Sequence, residues 1–461
     1  MAGVFKSYDV RGIYPNPLNE DLSRKIGASL GRYFKAIPEN ASKKTLRIVV
    51  GRDMRLSAPS MSAALIEGLT RAGVDVVDIG MSSTPAGYFA NQHLSADGSV
   101  QVTASHNPPE YIGFKVCREL AIPLSYDMGL NDVEKHLDAP LPAGPKGSVS
   151  EVDVTDDYLS FLMKQAELKR PVRAAADASN GMAGKYLSEL FDRLKCPFQG
   201  MFLEPDGRFP HHEADPLKPE NLAFLQKLTP ASKAEVGFCY DGDGDRVAMV
   251  DEQGRMIGCD IVTAIIARDI ASRNPGKPIT YDLRSSKTCR DAIAASGGAP
   301  VRVRVGHSHV KRQMREIDAI FGGELSGHYY FKLQDKAVFY ADSALVATIK
   351  LLNILSATSE PLSAVAASLQ KYFHTGEINF KIDDKAAALK AIEETFSDGQ
   401  QDFLDGVSVT YPTWWVNVRP SNTEPLIRLT LEGDTPELRD EKLAAVEKVL
   451  GRFGERATGG H

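Results

Sequence analysis

The stretch LRIVVGRDMRLSAPSMSAALIEGLTRAGVDVVDIG, residues 46–80, decides the fold class. Its first six residues, LRIVVG (46–51), form a short apolar, β-branched run closed by glycine, which is the pattern of a buried strand. SAPSMSAALIEGLTRAG (57–73) then repeats apolar residues at helical spacing, and VDVVDIG (74–80) returns to strand. Strand, helix and strand in succession predict an α/β protein with largely parallel sheets.

The chain has 461 residues, too many for one hydrophobic core, so three or four domains are expected. LDAPLPAGPKGSVSEVD (137–153) is rich in Pro, Gly and Ser, lacks periodicity and marks a first junction. A second break falls near DEQGRMIG (251–258). EINFKI, a strand pattern after the helical DSALVATIKLLNILSA, opens a last unit near residue 370. The expected division is 1–148, 149–253, 254–368 and 369–461. ERATGGH at the end reads as a frayed tail.

Composition narrows the partners. A formal net charge of −6 without a Lys/Arg-rich block removes the attraction that drives nucleic-acid binding. No run reaches the ~20 apolar residues that span a bilayer, and the first residues lack an apolar leader, so no membrane partner and a cytoplasmic location are expected. Cys117, Cys196, Cys239, Cys259 and Cys289 never fall in a C-x-x-C spacing, so they read as reduced, mostly core residues.

Three strands run straight into polar loops: VQVTASHNP, VGFCYDGDGDR and AIFGGELSGH. Loops beyond the carboxyl ends of strands are where open α/β sheets gather ligands. DGDGDR carries Asp241, Asp243 and Asp245 alternating with glycines that let the backbone curl and the carboxylates converge. At ~6 Å and an effective dielectric of ~20, each pair would repel by roughly 3 kcal/mol, so the cluster calls for a cation. Oxygen ligands alone select a hard ion, Mg²⁺ or Ca²⁺. An EF-hand competes, because the three aspartates fill positions 1, 3 and 5 and Glu252 falls at position 12. However, Arg246 stands where that loop needs glycine, and strands rather than helices flank it. A solvated acidic turn remains the plainer alternative.

In TASHNPPEYIGFK, Ser105 has no evident Ser-His-Asp base and no G-x-S-x-G elbow. It suits instead a fourth ligand or, once phosphorylated, a group whose charge of about −1.5 to −2 matches a metal and nearby cations. His106 and Lys115 follow at short range and can move a hydroxyl proton. Glu324 and Ser326, between glycines in GGELSGH with His328 closing the motif, suit a pair of sugar hydroxyls. Arg419, Ser421, Asn422 and Thr423 in RPSNTEP form a donor set for phosphate. Tyr8 and Arg11 in SYDVRG, Arg284 in YDLRSS and His307 in VGHSHVK make shorter cases of the same kind. Alone, each of these segments is equally compatible with a structural turn, a cap or a surface residue.

In this order and at domain-scale spacing, YDVRG, TASHNPPEYIGFK, DGDGDRV, GGELSGH and RPSNTEP resemble the α-D-phosphohexomutases, in their phosphomannomutase/phosphoglucomutase branch. The likeness covers nearly the whole chain. It implies three related α/β domains with mixed, largely parallel sheets and a smaller C-terminal α+β domain around a central cleft, each domain supplying one loop. It implies a phosphoserine at Ser105, one Mg²⁺ held by Ser105, Asp241, Asp243 and Asp245, and Arg246 supporting the serine loop. Arg11, His106 and Lys115 match residues beside the phosphoserine, and Lys115 is the favoured general acid/base. Glu324, Ser326 and His328 match sugar contacts, and Arg419, Ser421, Asn422 and Thr423 match a phosphate clamp. Tyr8, Arg284 and His307 match positions near the sugar. The implied reaction interconverts C1 and C6 phosphates of a hexose, mannose and also glucose, through a hexose bisphosphate that acts as intermediate and activator. The implied assembly is a monomer or weak homodimer.

The chain departs from the family pattern at Ile112, commonly Asn, and at Arg284, where some relatives carry Lys. Leu325 sits where the phosphoglucosamine branch usually has Gln. A phosphoglucosamine mutase, or a calcium- or phosphosugar-binding protein without catalysis, are the alternatives.

Overall fold

A computed structural model describes residues 3–140, 144–421 and 426–457. The chain divides into two compact units, Met1–Ile257 with Gly327–Ser363, and Gly258–Ser326 with Ala364–His461.

The first unit contains two mixed sheets of similar design. One is built from β1 (Val10–Ile13), β2 (Arg47–Arg52), β3 (Asp75–Met81), β4 (Gly98–Val102), β5 (Tyr111–Arg118), β6 (Ile122–Pro123) and β7 (Val149–Glu151). Its order is β1-β5-β4-β2-β3-β7, with β6 beside β5. β4, β2, β3 and β7 run parallel, whereas β5 returns antiparallel between β4 and β1. Every residue of β4 is buried, which is why GSVQV reads as strand despite its polar members. Helices Glu20–Ala36 and Ala58–Arg71 share the core beneath this sheet, where Leu30, Phe34, Leu65 and Leu69 meet Ile48, Val50 and Phe114. The Asn19 side chain caps the first of these helices by accepting from Leu22 N, and Glu20 and Asp21 complement its dipole.

The second sheet, β8 (Ala174–Asp177), β9 (Phe198–Met201), β10 (Val236–Tyr240), β11 (Val247–Asp251) and β12 (Met256–Ile257), has the order β12-β11-β10-β8-β9. Here again a parallel strand, β10, leads through a polar loop into an antiparallel one, β11. The same unit holds the hairpin Tyr329–Gln334 with Val338–Asp342. β7 lies inside the segment expected to be a junction, and its three exposed residues pair with β3 through main chain, which leaves no hydrophobic pattern to read.

In the second unit, Pro278–Asp282 pairs in parallel with Ala299–Val303 and with Phe321–Gly323. A six-stranded antiparallel sheet covers residues 373–456, and helices Lys385–Thr395 and Pro436–Leu450 pack on its core of Ile378, Phe380, Val416, Val418, Leu429 and Leu431. The expectation of a frayed tail is corrected at its start: Gly454–Arg456 adds a strand to the edge of Phe373–Ile382. The hydrogen bonds that hold it are main-chain, so GER carries no apolar alternation to announce it.

All five cysteines are buried thiols outside any disulfide. No helix among the described residues is long and apolar enough to cross a membrane.

Candidate active site

The loops after β4 and β10 meet. Ser105, 2% exposed, holds a left-handed backbone with φ of 51°, and its N–H is fixed by Thr103 Oγ1 at 2.9 Å. That conformation is unfavourable for a residue with a side chain and persists only where the surroundings over-determine it. The surroundings here are one buried guanidinium. Arg55, 1% exposed, donates from Nη2 to Ser105 O at 2.9 Å and Asn107 O at 2.6 Å, and from Nη1 to Pro108 O at 2.6 Å and Tyr111 O at 3.0 Å. Asp53, fully buried, balances its charge with Oδ2 at 3.2 Å from Nε.

Ser105 Oγ donates to Asp241 Oδ2 at 2.7 Å and lies 3.3 Å from His106 Nδ1. The other oxygen of Asp241 organises its own loop by accepting from the N–H groups of Gly244, Asp245 and Arg246 at 3.0, 3.1 and 3.2 Å. The loops approach so closely that a Cβ on Gly242 would stand 2.4 Å from Ser105 O. Gly244 takes a φ of 75°, which completes the curl.

Lys115 reaches in from β5, donating to Asp243 Oδ2 at 2.7 Å and Asp245 Oδ2 at 2.5 Å. Thr84 Oγ1 adds a bond to Asp243 Oδ2. Burial would lower the Lys115 ammonium, but Asp243 and Asp245 override it and hold it well above the ordinary lysine range. Burial, then Asp245 and Asp243, push Asp241 upward. Asp245 moves down against burial because Lys115 and His328 face it. His106 is held neutral, far below its usual range, by burial and then by Arg246 and Arg11.

Asp241, Asp243 and Asp245 each bring one oxygen within 4.8 Å of the others. Asp243 Oδ1 is buried without a hydrogen-bond partner among the described residues, and Asp245 Oδ1 faces only His328 Nε2 at 3.5 Å. Three buried carboxylates against one ammonium, with an unfilled acceptor at the centre, fit a divalent hard cation. The EF-hand alternative fails on geometry. The loop joins two strands, and Glu252 is engaged by Ser363, whose N and Oγ donate to it at 3.1 and 2.5 Å.

The remaining expected residues of this unit fall nearby or at its edge. Arg11 donates to Asn107 Oδ1 at 2.5 Å and to Asp9, tying β1 to the serine loop. Arg246 Nε lies 3.3 Å from His328 Nε2, so His328 sits against the aspartate loop. Tyr8 is half-buried just before β1.

In the second unit, Glu324 is buried and its oxygens accept from Gly306 N at 2.8 Å and Ser326 Oγ at 3.3 Å. His307 begins the helix His307–Glu316. Leu325 N donates to Asp282 Oδ2, which also accepts from Arg284 Nε at 2.9 Å and Nη2 at 2.5 Å. Arg419, 2% exposed, is the penultimate residue of the strand Trp414–Pro420, which leads to Ser421, whose N–H bonds Leu426 O at 2.8 Å. Asn422 and Thr423 lie outside the described residues.

Arg55, Glu377 and Arg428 are absent from the sequence-based site. Glu377 accepts from Arg419 Nη2 at 2.7 Å, Arg284 Nη1 at 3.3 Å and Arg428 Nη1 at 2.7 Å. Burial would raise its carboxyl, but Arg284, Arg419 and Arg428 hold it far below the usual carboxylate range. No motif surrounds Glu377 or Arg55. The only signal was a charged residue in a stretch otherwise patterned for a strand or a tight turn.

Fold and site together define an enzyme that handles phosphate with a buried metal-type carboxylate loop. The comparisons with known proteins agree. The chain matches the phosphoglucomutase/phosphomannomutase family in four successive parts: alpha/beta/alpha domain I over residues 2–140, domain II over 156–254, domain III over 259–372 and the C-terminal domain over 377–449. It is 37% identical to a phosphomannomutase of Methanocaldococcus jannaschii over 98% of both chains. It is 35% identical to a phosphomannomutase/phosphoglucomutase of Pseudomonas aeruginosa, covering 95% of this chain and 93% of that one. A solved phosphoglucomutase/phosphomannomutase family protein from Burkholderia thailandensis superposes with a TM-score of 0.88 at 34% identity over 99% of each chain. The chain therefore belongs to the phosphoglucomutase/phosphomannomutase family and is a phosphohexomutase, an enzyme of the isomerase class.

Proposed function

We propose that the protein moves a phosphoryl group reversibly between C1 and C6 of a hexose phosphate, through a phosphoserine at Ser105 and a bisphosphorylated sugar. The preferred pair is mannose 6-phosphate and mannose 1-phosphate, with the glucose phosphates also accepted, as the names of the relatives suggest. The observation that carries this reading is the 2.7 Å contact of Ser105 Oγ with Asp241, inside a cluster of three carboxylates.

In the first transfer the P–O bond at Ser105 Oγ breaks, and the phosphoryl group passes to the free sugar hydroxyl, whose proton leaves to a side chain. His106, whose Nδ1 lies 3.3 Å from Oγ, and Lys115, bonded to Asp243 and Asp245, are assigned that proton traffic. The bisphosphate then turns, and its other phosphate returns to Oγ. Asp241, Asp243, Asp245 and Ser105 would hold one Mg²⁺, which supplies charge neutralisation for a loose, dispersed transition state. Arg11 and Arg246 hold the serine loop and its neighbour. Glu324, Ser326 and His307 are assigned to the sugar hydroxyls, and Tyr8, Arg284 and His328 to further sugar contacts. Arg419 and Ser421, with Asn422 and Thr423, grip the phosphate not being transferred. On this reading residues 1–148 carry the phosphoserine loop, 149–253 the metal loop, 254–368 the sugar loop and 369–461 the phosphate clamp.

A coupled assay with mannose 1-phosphate, glucose 1-phosphate and glucosamine 1-phosphate, with and without Mg²⁺, tests the activity and ranks the substrates. Ser105→Ala is expected to lose nearly all turnover while keeping its fold. The isolated wild-type protein should show about 80 Da of added mass on Ser105, that of one phosphoryl group. Substantial turnover by Ser105→Ala would overturn the covalent role.

A further inference from the structure

The turn that follows β8 lies against the aspartate loop and holds it on both sides of Asp241. Ser179 Oγ donates to Tyr240 O at 2.7 Å, and Met182 N donates to Gly242 O at 2.8 Å. Gly181 between them has no room for a side chain, since a Cβ there would stand 2.8 Å from Asp241 O and 2.9 Å from Gly242 O. The carbonyls of both neighbours of Asp241 are thus fixed by residues from another strand end.

To make these contacts the turn takes an unfavourable backbone: Ser179 and Asn180 are both left-handed, with φ of 52° and 53°. Such a conformation persists only where the surroundings over-determine it. Asp177, fully buried at the end of β8, accepts from Ser179 N at 2.8 Å with Oδ1, and its Oδ2 lies 3.0 Å from His212 Nε2. His212 Nδ1 lies 2.8 Å from Glu213 O. Both ring nitrogens face acceptors, and only an imidazolium donates from both. His211 Nδ1 lies 2.7 Å from Asn180 Oδ1, while Asn180 Nδ2 donates to Glu204 O at 2.9 Å. The segment after β9 therefore braces both left-handed residues.

Burial opposes the charge on His212, but the hydrogen bond from Asp177 and then its charge raise the imidazolium above the ordinary histidine value of 6.5. Asp177 is the charged side chain that meets the ring, and the rings of Phe202 and of Phe224, on the helix Ala223–Ala231, pack against it. Glu213, next in the chain, is paired with Lys218. Beside Asp177, the Cys239 thiol of β10 is pushed well up by burial and then by Asp177, with Asp215 adding to it.

We propose that Asp177 and His212 are positioning residues for the metal loop: their ion pair locks the turn 178–182, and the turn sets where Asp241 presents its carboxylate. The inference rests on the reading of Asp241 as a Mg²⁺ ligand. The pair acts through Ser179 and Met182, which carry its effect to the main chain on either side of that ligand.

The test is Mg²⁺ alone, titrated into the full-length protein by calorimetry at fixed ionic strength. His212→Ala is expected to weaken Mg²⁺ binding by about tenfold, the scale on which metal affinity falls when a supporting residue is removed. In the coupled assay its kcat should fall at limiting Mg²⁺ and recover at excess, with KM for mannose 1-phosphate unchanged. A lowered melting temperature with wild-type Mg²⁺ affinity would make the pair structural only and overturn the inference. Failure of the wild type to bind Mg²⁺, or wild-type binding by Asp241→Asn, would overturn the metal reading and this inference with it. If His212→Ala yields no soluble protein, His212→Gln carries the test. Its amide still donates to Asp177 but without the charge, so the loss should be about threefold, and an unchanged constant would overturn the proposal. The charge of His212 is fully present below 6.5 and lost as pH rises through the higher folded value. The advantage of wild type over His212→Gln should therefore hold at about pH 6 and vanish by about pH 9. An advantage constant across that range would assign the effect to ring packing and overturn the role of the ion pair.

Discussion

The two units carry inverted charge clusters. In the first, Lys115 is bonded to two of three buried aspartates; in the second, Glu377 gathers three arginines, one of which also pairs with Asp282. Each is knit together by an internal ion of opposite sign. The aspartate cluster has the donor set of a metal site, whereas the arginine cluster is the one proposed to take a phosphate. Their construction differs too. The aspartates come from five consecutive residues curled by glycine, whereas Arg284 lies more than a hundred residues before Arg419 and Arg428, and Glu377 beside a strand bulge joins them.

The comparison breaks most visibly at the anionic cluster. Asp243→Asn should lower turnover by about 10³-fold and abolish the response to added Mg²⁺, as read by the coupled assay and by metal titration. If that variant keeps a wild-type response to Mg²⁺, the cluster is not the metal site. Lys115→Met should reduce kcat by about 10²- to 10⁴-fold, the range for losing a proton-transfer group, and alter the pH profile. Arg55→Met tests whether loop shape matters independently of charge. It leaves Asp53 buried and alone, so stability should fall by about 3–5 kcal/mol in urea unfolding, and kcat by about 10²-fold with KM for the sugar little changed. At the cationic cluster, Arg419→Lys should raise KM by about tenfold with kcat nearly retained, because an ammonium cannot reproduce the planar fork. Full loss of kcat there would place Arg419 in the chemistry.

The smallest effect concerns pH. The folded carboxyl of Glu377 lies below its ordinary value of 4.5, so its contribution to stability is present above that value and lost as pH falls through the folded range. Chemical denaturation between about pH 5 and pH 3 should show stability falling with acid, and less steeply in Glu377→Gln. An identical slope would mean that the arginines do not depend on the carboxylate.

The same contrast explains what was legible in the sequence. The aspartate loop and the serine loop are local, each written in a few residues whose glycines and prolines dictate backbone shape. The chain alternation at 46–80 likewise exposed the α/β class, and β2, β3 and the helix between them follow it. Arg55 was invisible because its hydrogen bonds to the serine loop go to carbonyl oxygens about 50 residues away, and every residue type supplies those. Glu377 lay inside EINFKI, where strand periodicity accounts for the apolar residues and a buried acid has no signature until Arg284, Arg419 and Arg428 arrive from elsewhere. β7 and Gly454–Arg456 escaped for a related reason, since edge strands held by main chain alone need no particular side chains.

Arg55 also sets how freely this loop can change. Because Arg55 grips only peptide oxygens of this loop, its hold on the chain from Ser105 to Tyr111 does not depend on which side chains that path displays. Shape and chemistry are stored in different residues. A designer wishing to install cysteine in place of the serine would inherit the same backbone path, held by Arg55.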